Sequence, residues 1–226
     1  MELAGLLDIR PGVTAVMGSG GKTTLLRTLG GELASAGNRV LLCTTTKIFP
    51  FSDVVTLTSP TEEELDRSLA EHHLVCAGAP AGDTGKLTAL ELPMARLLSL
   101  ADYILVEADG SAGRPLKAHA PHEPVIPAEA GQTICMVGVS GFGRSIAEAA
   151  HRPERFAALA GASLEDIATP ELTARVLLAE GLADRCFFNQ ADTPERWEWA
   201  RRCGENLPWP SAMGALQKGV YGRCWL

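Results

Sequence analysis

The stretch Val13–Thr24, VTAVMGSGGKTT, decides the fold. Its first part, Val13–Met17, is a short apolar run with β-branched residues, which is typical of a buried strand. Three glycines in four residues follow, and Lys22-Thr23-Thr24 then opens an apolar helical pattern. A strand, a glycine-rich turn and a helix that starts with Lys-Thr form the layout of a phosphate-binding loop.

The residue types of this loop suit a nucleotide. Glycines let backbone N–H groups approach a phosphate closely, and the start of a helix adds unpaired donors. Lys22 is expected to reach the β- and γ-phosphate oxygens, and Thr23 to offer its hydroxyl to Mg²⁺. The loop residues predicted to bind the nucleotide are Gly18, Ser19, Gly20, Gly21, Lys22, Thr23 and Thr24.

The spacing of the loop departs from the standard motif at one position. That motif has a glycine five residues before Gly21, where this chain has Val16. The loop is then either one turn tighter or begins at Gly18. The alternative without function is an ordinary glycine-rich turn that precedes a helix with an exposed lysine.

The composition is that of an ordinary globular protein, with 46% hydrophobic and 21% charged residues in 226. A net charge of −7 and the lack of any basic run argue against a nucleic acid or an anionic membrane as partner. No apolar run approaches the roughly 20 residues of a membrane span. The six cysteines are dispersed, with no C-x-x-C pair, and they favour a reducing cytoplasmic location.

Strand and helix patterns alternate along the whole chain, which predicts an α/β fold with a mainly parallel sheet. We expect a three-layer fold of the P-loop NTPase type in a single domain over 1–226, with a proline-rich loop over the site at 108–127 and a helical insertion at 140–170. Two local predictions are a helix with Ser59 as its N-cap and Pro60 at its first position, and a final strand over 220–226.

A strand that ends in an acid provides the second part of the predicted site. Tyr103–Val106 is apolar and buried by pattern, and Glu107 and Asp109 follow it. An acid at the carboxyl end of a core strand in a P-loop protein usually belongs to the Mg²⁺ shell. The predicted catalytic residues are therefore Lys22, Glu107 and Asp109, and the predicted metal-binding residues are Thr23, Glu107 and Asp109. The pattern leaves open which acid is closer to the metal.

The segment Ser111–Pro127 is a long loop with four prolines, directly after the acids. Such loops are often functional, and proline makes this one stiff. Arg114 and Lys117 are candidates to stabilise phosphate charge. Together with His119 and His122 they are also candidates to meet a substrate, cofactor or partner. His119 and His122, with Glu123, could also bind a transition metal. The alternative is a solvated connector.

Two further segments are candidates for the same edge of the sheet. Thr44–Lys47 ends a predicted strand, where Lys47 could meet a phosphate or a substrate anion; the alternative is a plain strand end. Asn189-Gln190-Ala191-Asp192 resembles the guanine-recognition motif Asn-Lys-x-Asp, in which the carboxylate accepts two hydrogen bonds that adenine cannot donate. Gln190 replaces its lysine, and the stretch could equally cap the next helix. On the basis of Asn189 and Asp192, we expect the nucleotide to be GTP rather than ATP.

The order of these parts is similar to that in P-loop GTPases that act as metallochaperones, whose second acid motif is also Glu-x-x-Gly. Six blocks span nearly the whole chain: GSGGKTT (18–24), TTTKIF (44–49), VEADGSAGRPLKAHAPHEPVIP (106–127), HRPE (151–154), TPE (169–171) and NQAD (189–192). In these blocks the chain more closely resembles the YqeC family, described as accessory proteins of selenium-dependent molybdenum hydroxylases. The resemblance implies a molybdenum hydroxylase, or its cofactor-maturation proteins, as partner.

Together these features predict a nucleotide-binding protein that uses Mg²⁺ and hydrolyses GTP or ATP slowly. One alternative is an ATP-dependent small-molecule kinase, with the segment 106–127 as acceptor site. The other is a nucleotide-gated scaffold that delivers a cofactor with negligible hydrolysis. The sequence shows no obvious water-activating residue, which keeps the scaffold open.

Overall fold

The structure is a computed structural model that describes residues 2–224. Its helices are α1 (Leu3–Leu6), α2 (Lys22–Ser35), α3 (Glu62–His72), α4 (Met94–Leu97), α5 (Ile146–Ala149), α6 (Pro153–Ala160), α7 (Pro170–Glu180) and α8 (Pro194–Glu205). Its strands are β1 (Gly12–Gly18), β2 (Val40–Thr44), β3 (Val55–Thr58), β4 (Leu74–Pro80), β5 (Leu87–Thr88), β6 (Tyr103–Glu107), β7 (Leu116–Lys117), β8 (Ala130–Gly138), β9 (Ala150–His151), β10 (Arg185–Asn189), β11 (Ser211–Ala215) and β12 (Val220–Arg223).

One ten-stranded sheet organises the fold, with the order β12-β11-β10-β8-β1-β6-β2-β4-β3 and β5 beside β4. Its pairs are parallel except β11 with β12 and β4 with β5. The strand β1 lies between β6 and β8, in register Val16 to Glu107 and Gly18 to Met136. The predicted α/β class with a mainly parallel sheet is confirmed, and the ends of β1, β6 and β10 meet at one edge.

Helices cover both faces of the sheet, because its strands are apolar on both sides. Along β1, Ala15 and Met17 pack into a core with α5 to α8, whereas Val16 packs into a core with α1 and α2. A third core joins α3 and α4 to the first of these faces, through Val13 of β1. This arrangement gives three layers, with the sheet in the middle.

The predicted N-cap of α3 is wrong by two residues. Ser59 has a φ of +47° and lies outside the helix, and the cap is Thr61. The Thr61 hydroxyl accepts from the Glu64 N–H at 3.2 Å, and the Glu64 carboxylate accepts from the Thr61 N–H at 2.9 Å. This reciprocal capping box satisfies two helix-end donors. The predicted final strand is β12, and positions 225 and 226 lie outside the described residues.

The proline-rich loop has more structure than its sequence predicts. Its residues Leu116 and Lys117 form β7, which pairs in parallel with β9. The segment 140–170 is consequently not purely helical, since it contributes this strand as well as α5 and α6. A two-residue pairing between distant segments leaves no local pattern, which is why the sequence did not indicate it.

All six cysteines are free and buried. Burial raises the pKa of the Cys43 thiol to about 12 and that of Cys76 to about 11. Within residues 2–224, none of the helices combines the length and the apolar character that crossing a bilayer requires.

Candidate functional site

The glycine-rich loop needs glycine for two separate reasons. Gly20 and Gly21 have φ values of +88° and +126°, which side chains rarely adopt. A Cβ on Gly20 would also lie 2.4 Å from Gly138 Cα, and one on Gly21 would lie 2.4 Å from Asn189 Nδ2. The strand β1 continues to Gly18. Of the two alternatives that the sequence left open, the loop is therefore the one that begins at Gly18.

Five successive backbone amides at this loop, those of Gly20–Thr24, donate no hydrogen bond to any residue among 2–224. The amides on either side are used: Ser19 N donates to Met136 O, and Leu25 N donates to Gly21 O as the helix continues. The amides lie at the N-terminus of α2, where the helix dipole adds partial positive charge. Such an arrangement is a site for an anion.

Lys22 is folded back over the loop rather than exposed. The residue is 5% exposed, and its Nζ donates to Gly18 O at 2.8 Å. The same Nζ is 3.2 Å from Asp109 Oδ1 and 3.4 Å from Ser111 Oγ. The alternative of a plain turn followed by a solvent-exposed lysine does not fit this burial.

Thr23 and Glu107 form a pair beside the loop. The Thr23 hydroxyl donates to Glu107 Oε2 at 2.9 Å, and Glu107 is the buried last residue of β6. Burial raises the pKa of the Glu107 carboxyl, and the charge of Lys22 and the Thr23 hydrogen bond oppose that effect. A hydroxyl and a carboxylate at this spacing are oxygen ligands suited to Mg²⁺.

Asp109 has different surroundings from Glu107. It is fully buried, and its Oδ2 accepts from Gly18 N at 3.0 Å, Lys117 Nζ at 2.8 Å and His119 Nε2 at 2.9 Å. Burial acts to raise the pKa of Asp109, but the His119 hydrogen bond and the two lysine charges outweigh it and hold that pKa well below its usual range. Both oxygens of Asp109 therefore face cationic or N–H groups.

The proline-rich loop places its charged residues differently from the predictions. Lys117 is buried and donates to Asp109, Gly110 O and Glu123 rather than facing the open edge. The guanidinium of Arg114 is exposed and donates to Glu148 O, while its own carbonyl accepts from the Ser19 hydroxyl. Neither cation points at the five amides in this structure.

The histidines of that loop are separated. His119 is buried between Asp109 and Glu180, with its Nδ1 2.7 Å from Glu180 Oε2, whereas His122 is exposed. Glu123 pairs with Lys117 and Arg152. Among residues 2–224 the structure shows no group of three or more His, Cys, Asp or Glu side chains able to hold a metal, so it does not support a transition-metal site at His119, His122 and Glu123.

The Thr44–Lys47 segment lies beside β6. The Thr44 hydroxyl donates to Glu107 O at 2.8 Å, and the Thr45 hydroxyl donates to Val125 O at 2.6 Å. These bonds tie the strand end to the acid and to the proline-rich loop. Lys47 itself is exposed.

The Asn189–Asp192 segment lies on the other side of the loop. Asn189 Nδ2 donates to Gly20 O at 2.8 Å, and its Oδ1 accepts from Leu216 N at 3.1 Å, so this side chain joins two loops. Asp192 is at the surface, 2.6 Å from Arg196 and 4.0 Å from Lys218. The amide oxygen of Gln190 accepts from the Ser140 hydroxyl.

A cavity of about 130 Å³ lies between the glycine-rich loop and the Asn189–Asp192 segment. It is lined by Gly21, Thr24, Asn189, Gln190, Asp192, Ala215, Leu216, Gln217 and Lys218. The predicted phosphate loop and the predicted base-reading segment thus border one cavity. The sequence did not indicate the contribution of Leu216–Lys218, because it follows β11 without a recognisable motif.

Fold and site together define a three-layer α/β protein with a glycine-rich loop, whose amides have the geometry that suits an anion, at the carboxyl edge of its sheet. The sequence model of the family described as "YqeC protein" matches residues 14–154, and the chain belongs to that family. It is also similar to the "Uncharacterized protein YqeC" of Escherichia coli (strain K12), with 37% identity over 159 residues. That match covers 67% of this chain and 62% of the relative. The loop, both acids and His119 lie inside the family match, whereas Glu180 and Asn189–Asp192 lie beyond it.

Proposed function

We propose that this protein binds a purine nucleoside triphosphate together with Mg²⁺, with GTP favoured over ATP, and hydrolyses it slowly. The observation that carries the proposal is the row of five unpartnered amides, Gly20–Thr24, around the buried amino group of Lys22. These donors match the oxygens of a polyphosphate chain, and few other anions would use all of them.

The metal belongs beside Thr23 and Glu107 in this proposal. Their oxygens are already within hydrogen-bond distance and lie next to the start of α2. Mg²⁺ bound there would screen the charge of the β- and γ-phosphates. Asp109 is not assigned as a ligand, because Lys22, Lys117 and His119 already surround its carboxylate.

The cavity beside Asp192 is the proposed position of the base. The carboxylate of Asp192 would accept from the N1–H and the exocyclic amine of guanine, once it exchanges its partner Arg196. Asn189 shapes the cavity by holding Gly20 and Leu216 in place, rather than by reading the base.

A nucleotide-gated scaffold with negligible hydrolysis is the second candidate function. Asp109 and His119 are the buried acid and the buried imidazole nearest to Lys22, and each is engaged in ion pairs with the other and with further charged groups. Neither is free to activate water. A partner that rearranges them would be required for rapid turnover, in line with a role in maturing a selenium-dependent molybdenum hydroxylase.

The test is binding of fluorescent GTP and ATP analogues, with Mg²⁺ and with EDTA, to wild type and three variants. We expect Lys22→Ala to weaken both nucleotides by about 10- to 100-fold, because a charge-assisted hydrogen bond contributes ~1.5–3 kcal/mol. We expect Asp192→Ala to remove only the preference for GTP. Arg67→Ala, which removes an exposed cation on α3, should change neither.

Other results would change the assignment. If ATP binds better than GTP, or if Asp192→Ala has no effect, the Asn189–Asp192 segment is only a helix cap and an ATP-dependent small-molecule kinase becomes the better explanation. If neither nucleotide binds to the wild type, the nucleotide proposal is wrong.

A further inference from the structure

A chain of buried charged side chains leads away from the glycine-rich loop. Lys22 Nζ is 3.2 Å from Asp109 Oδ1, His119 Nε2 is 2.9 Å from Asp109 Oδ2, and Glu180 Oε2 is 2.7 Å from His119 Nδ1. The four side chains are at most 5% exposed. The chain therefore joins the loop to the last residue of α7, which the nucleotide proposal does not use.

The two oxygens of Asp109 are bound unequally. Oδ2 accepts from Gly18 N, Lys117 and His119, whereas Oδ1 makes no hydrogen bond among residues 2–224 and faces the Lys22 ammonium. If Lys22 moves away, Asp109 still has Lys117 and His119 to neutralise it. Because an uncompensated buried charge is costly, this reserve of positive charge is what allows Lys22 to leave.

His119 links Asp109 to α7, because one of its ring nitrogens faces the carboxylate of Asp109 and the other faces that of Glu180. A nitrogen that faces a carboxylate must donate, so the ring is an imidazolium between Asp109 and Glu180. Glu180 also accepts from the backbone N–H of His119 at 2.6 Å. Two hydrogen bonds thus fix the end of α7 to the proline-rich loop, directly before Gly181 turns left-handed with φ +59°.

We propose that Asp109, His119 and Glu180 are positioning residues for Lys22, and that Asp109 and the nucleotide phosphates compete for its amino group. The inference rests on the proposed function for the identity of that competing anion. When a phosphate binds the amino group of Lys22, only Lys117 and His119 remain to neutralise the charge of Asp109. The His119–Glu180 contact must then readjust, and α7 becomes the element that responds to nucleotide.

The competition gives opposite signs for changes at the two ends of the chain. Asp109→Asn removes the competing charge and places an N–H₂ donor against Lys22, so nucleotide binding becomes tighter. Glu180→Gln favours a neutral His119, so Asp109 depends more on Lys22 and nucleotide binding becomes weaker. A purely structural role would weaken binding in both variants.

The first experiment measures the dissociation constant of the fluorescent GTP analogue with Mg²⁺ for wild type, Asp109→Asn and Glu180→Gln. We expect changes of about fivefold in opposite directions. Glu154→Gln, at an exposed position on α6, is the matched control and should bind like wild type. Equal signs for the two variants, or a Glu180→Gln variant that behaves like Glu154→Gln, would overturn the proposal.

A second experiment needs no nucleotide and separates this inference from the proposed function. Urea midpoints are measured for Lys22→Met, Glu180→Gln and the double variant. We expect the double shift to be larger than the sum of the single shifts, because Glu180→Gln favours a neutral His119 and leaves Asp109 more dependent on Lys22. Lys22→Met with Glu154→Gln should be additive. Additive shifts for Lys22→Met with Glu180→Gln refute the chain even if nucleotide binds, and non-additive shifts support it even if nucleotide does not.

Discussion

The two ends of the candidate site differ in how far their charged side chains are buried. At the loop end, the side chains of Lys22 and Asp109 are 4% and 0% exposed and belong to a network of ion pairs. At the other end, Asp192 pairs with Arg196 at 2.6 Å and with Lys218 at 4.0 Å, and the side chains of Asp192 and Arg196 are 34% and 32% exposed. A pair of a carboxylate and a cation thus lies in the core at one end and at the surface at the other.

Under the proposed function, the loop end would determine the affinity for nucleotide and the Asp192 end the preference for one base. Breaking a buried pair costs ~3–5 kcal/mol, because it strands a charge, whereas an exposed pair contributes ~0–1 kcal/mol. Substitutions at the loop end should therefore change stability and binding together. Substitutions at the Asp192 end should change the choice of base and leave the fold alone.

The largest expected effect is that of Gly20→Ala. Its Cβ would meet the backbone of Gly138 at 2.4 Å, in addition to the strain of φ +88°. We expect a loss of ~3 kcal/mol or more in unfolding free energy, measured by urea denaturation, and no detectable nucleotide binding.

Gly113→Ala is the matched control for that variant. Gly113 has φ +72°, but a Cβ there meets nothing within 4 Å. It should cost only about 1 kcal/mol of strain. Equal losses for the two variants would show that backbone strain, and not the close approach of two loops, makes glycine necessary.

A smaller effect is expected for Glu107→Gln, at the metal side of the loop end. The amide keeps the shape and can still accept from Thr23, but it removes a negative charge beside the proposed metal. Nucleotide binding with Mg²⁺ should weaken by about tenfold, while binding with EDTA stays close to the wild-type value. A variant that loses the same factor under both conditions would place the metal elsewhere.

The smallest effect is expected at the surface end, for Arg196→Ala. Removing the guanidinium frees the carboxylate of Asp192 to meet guanine. GTP binding should tighten by about twofold to fivefold, with ATP binding and the urea midpoint unchanged. Tightening of both nucleotides would mean that Arg196 obstructs the cavity rather than competing for Asp192.

The sequence predicts local features of this molecule well. Val13–Thr24 forms the expected strand, turn and helix. These features depend on hydrophobic period, glycine conformation and caps, all of which neighbouring residues determine. The predicted N-cap of α3 was wrong because Ser59 and Thr61 are both suitable residues and each has a glutamate three residues later, so the local pattern does not decide between them.

Long-range features were not predictable from the same patterns. Lys117 looked like a phosphate ligand because it is a lysine in a loop near two acids, but β7 turns it into the core. Glu180 gave no signal, since its partner His119 is 61 residues away. Glu107 and Asp109 look alike in the sequence, and only the structure shows that their surroundings differ.

The rate at which the six buried thiols react with a reagent reports whether each of these variants is still folded. A folded molecule protects every cysteine from an alkylating reagent, both by exclusion and because burial disfavours the thiolate at sites such as Cys43. Labelling therefore proceeds only through opening of the chain, and mass spectrometry counts the reagents acquired. A variant that loses its ligand but still labels as slowly as wild type has lost a binding contact, whereas one that labels quickly has lost its structure.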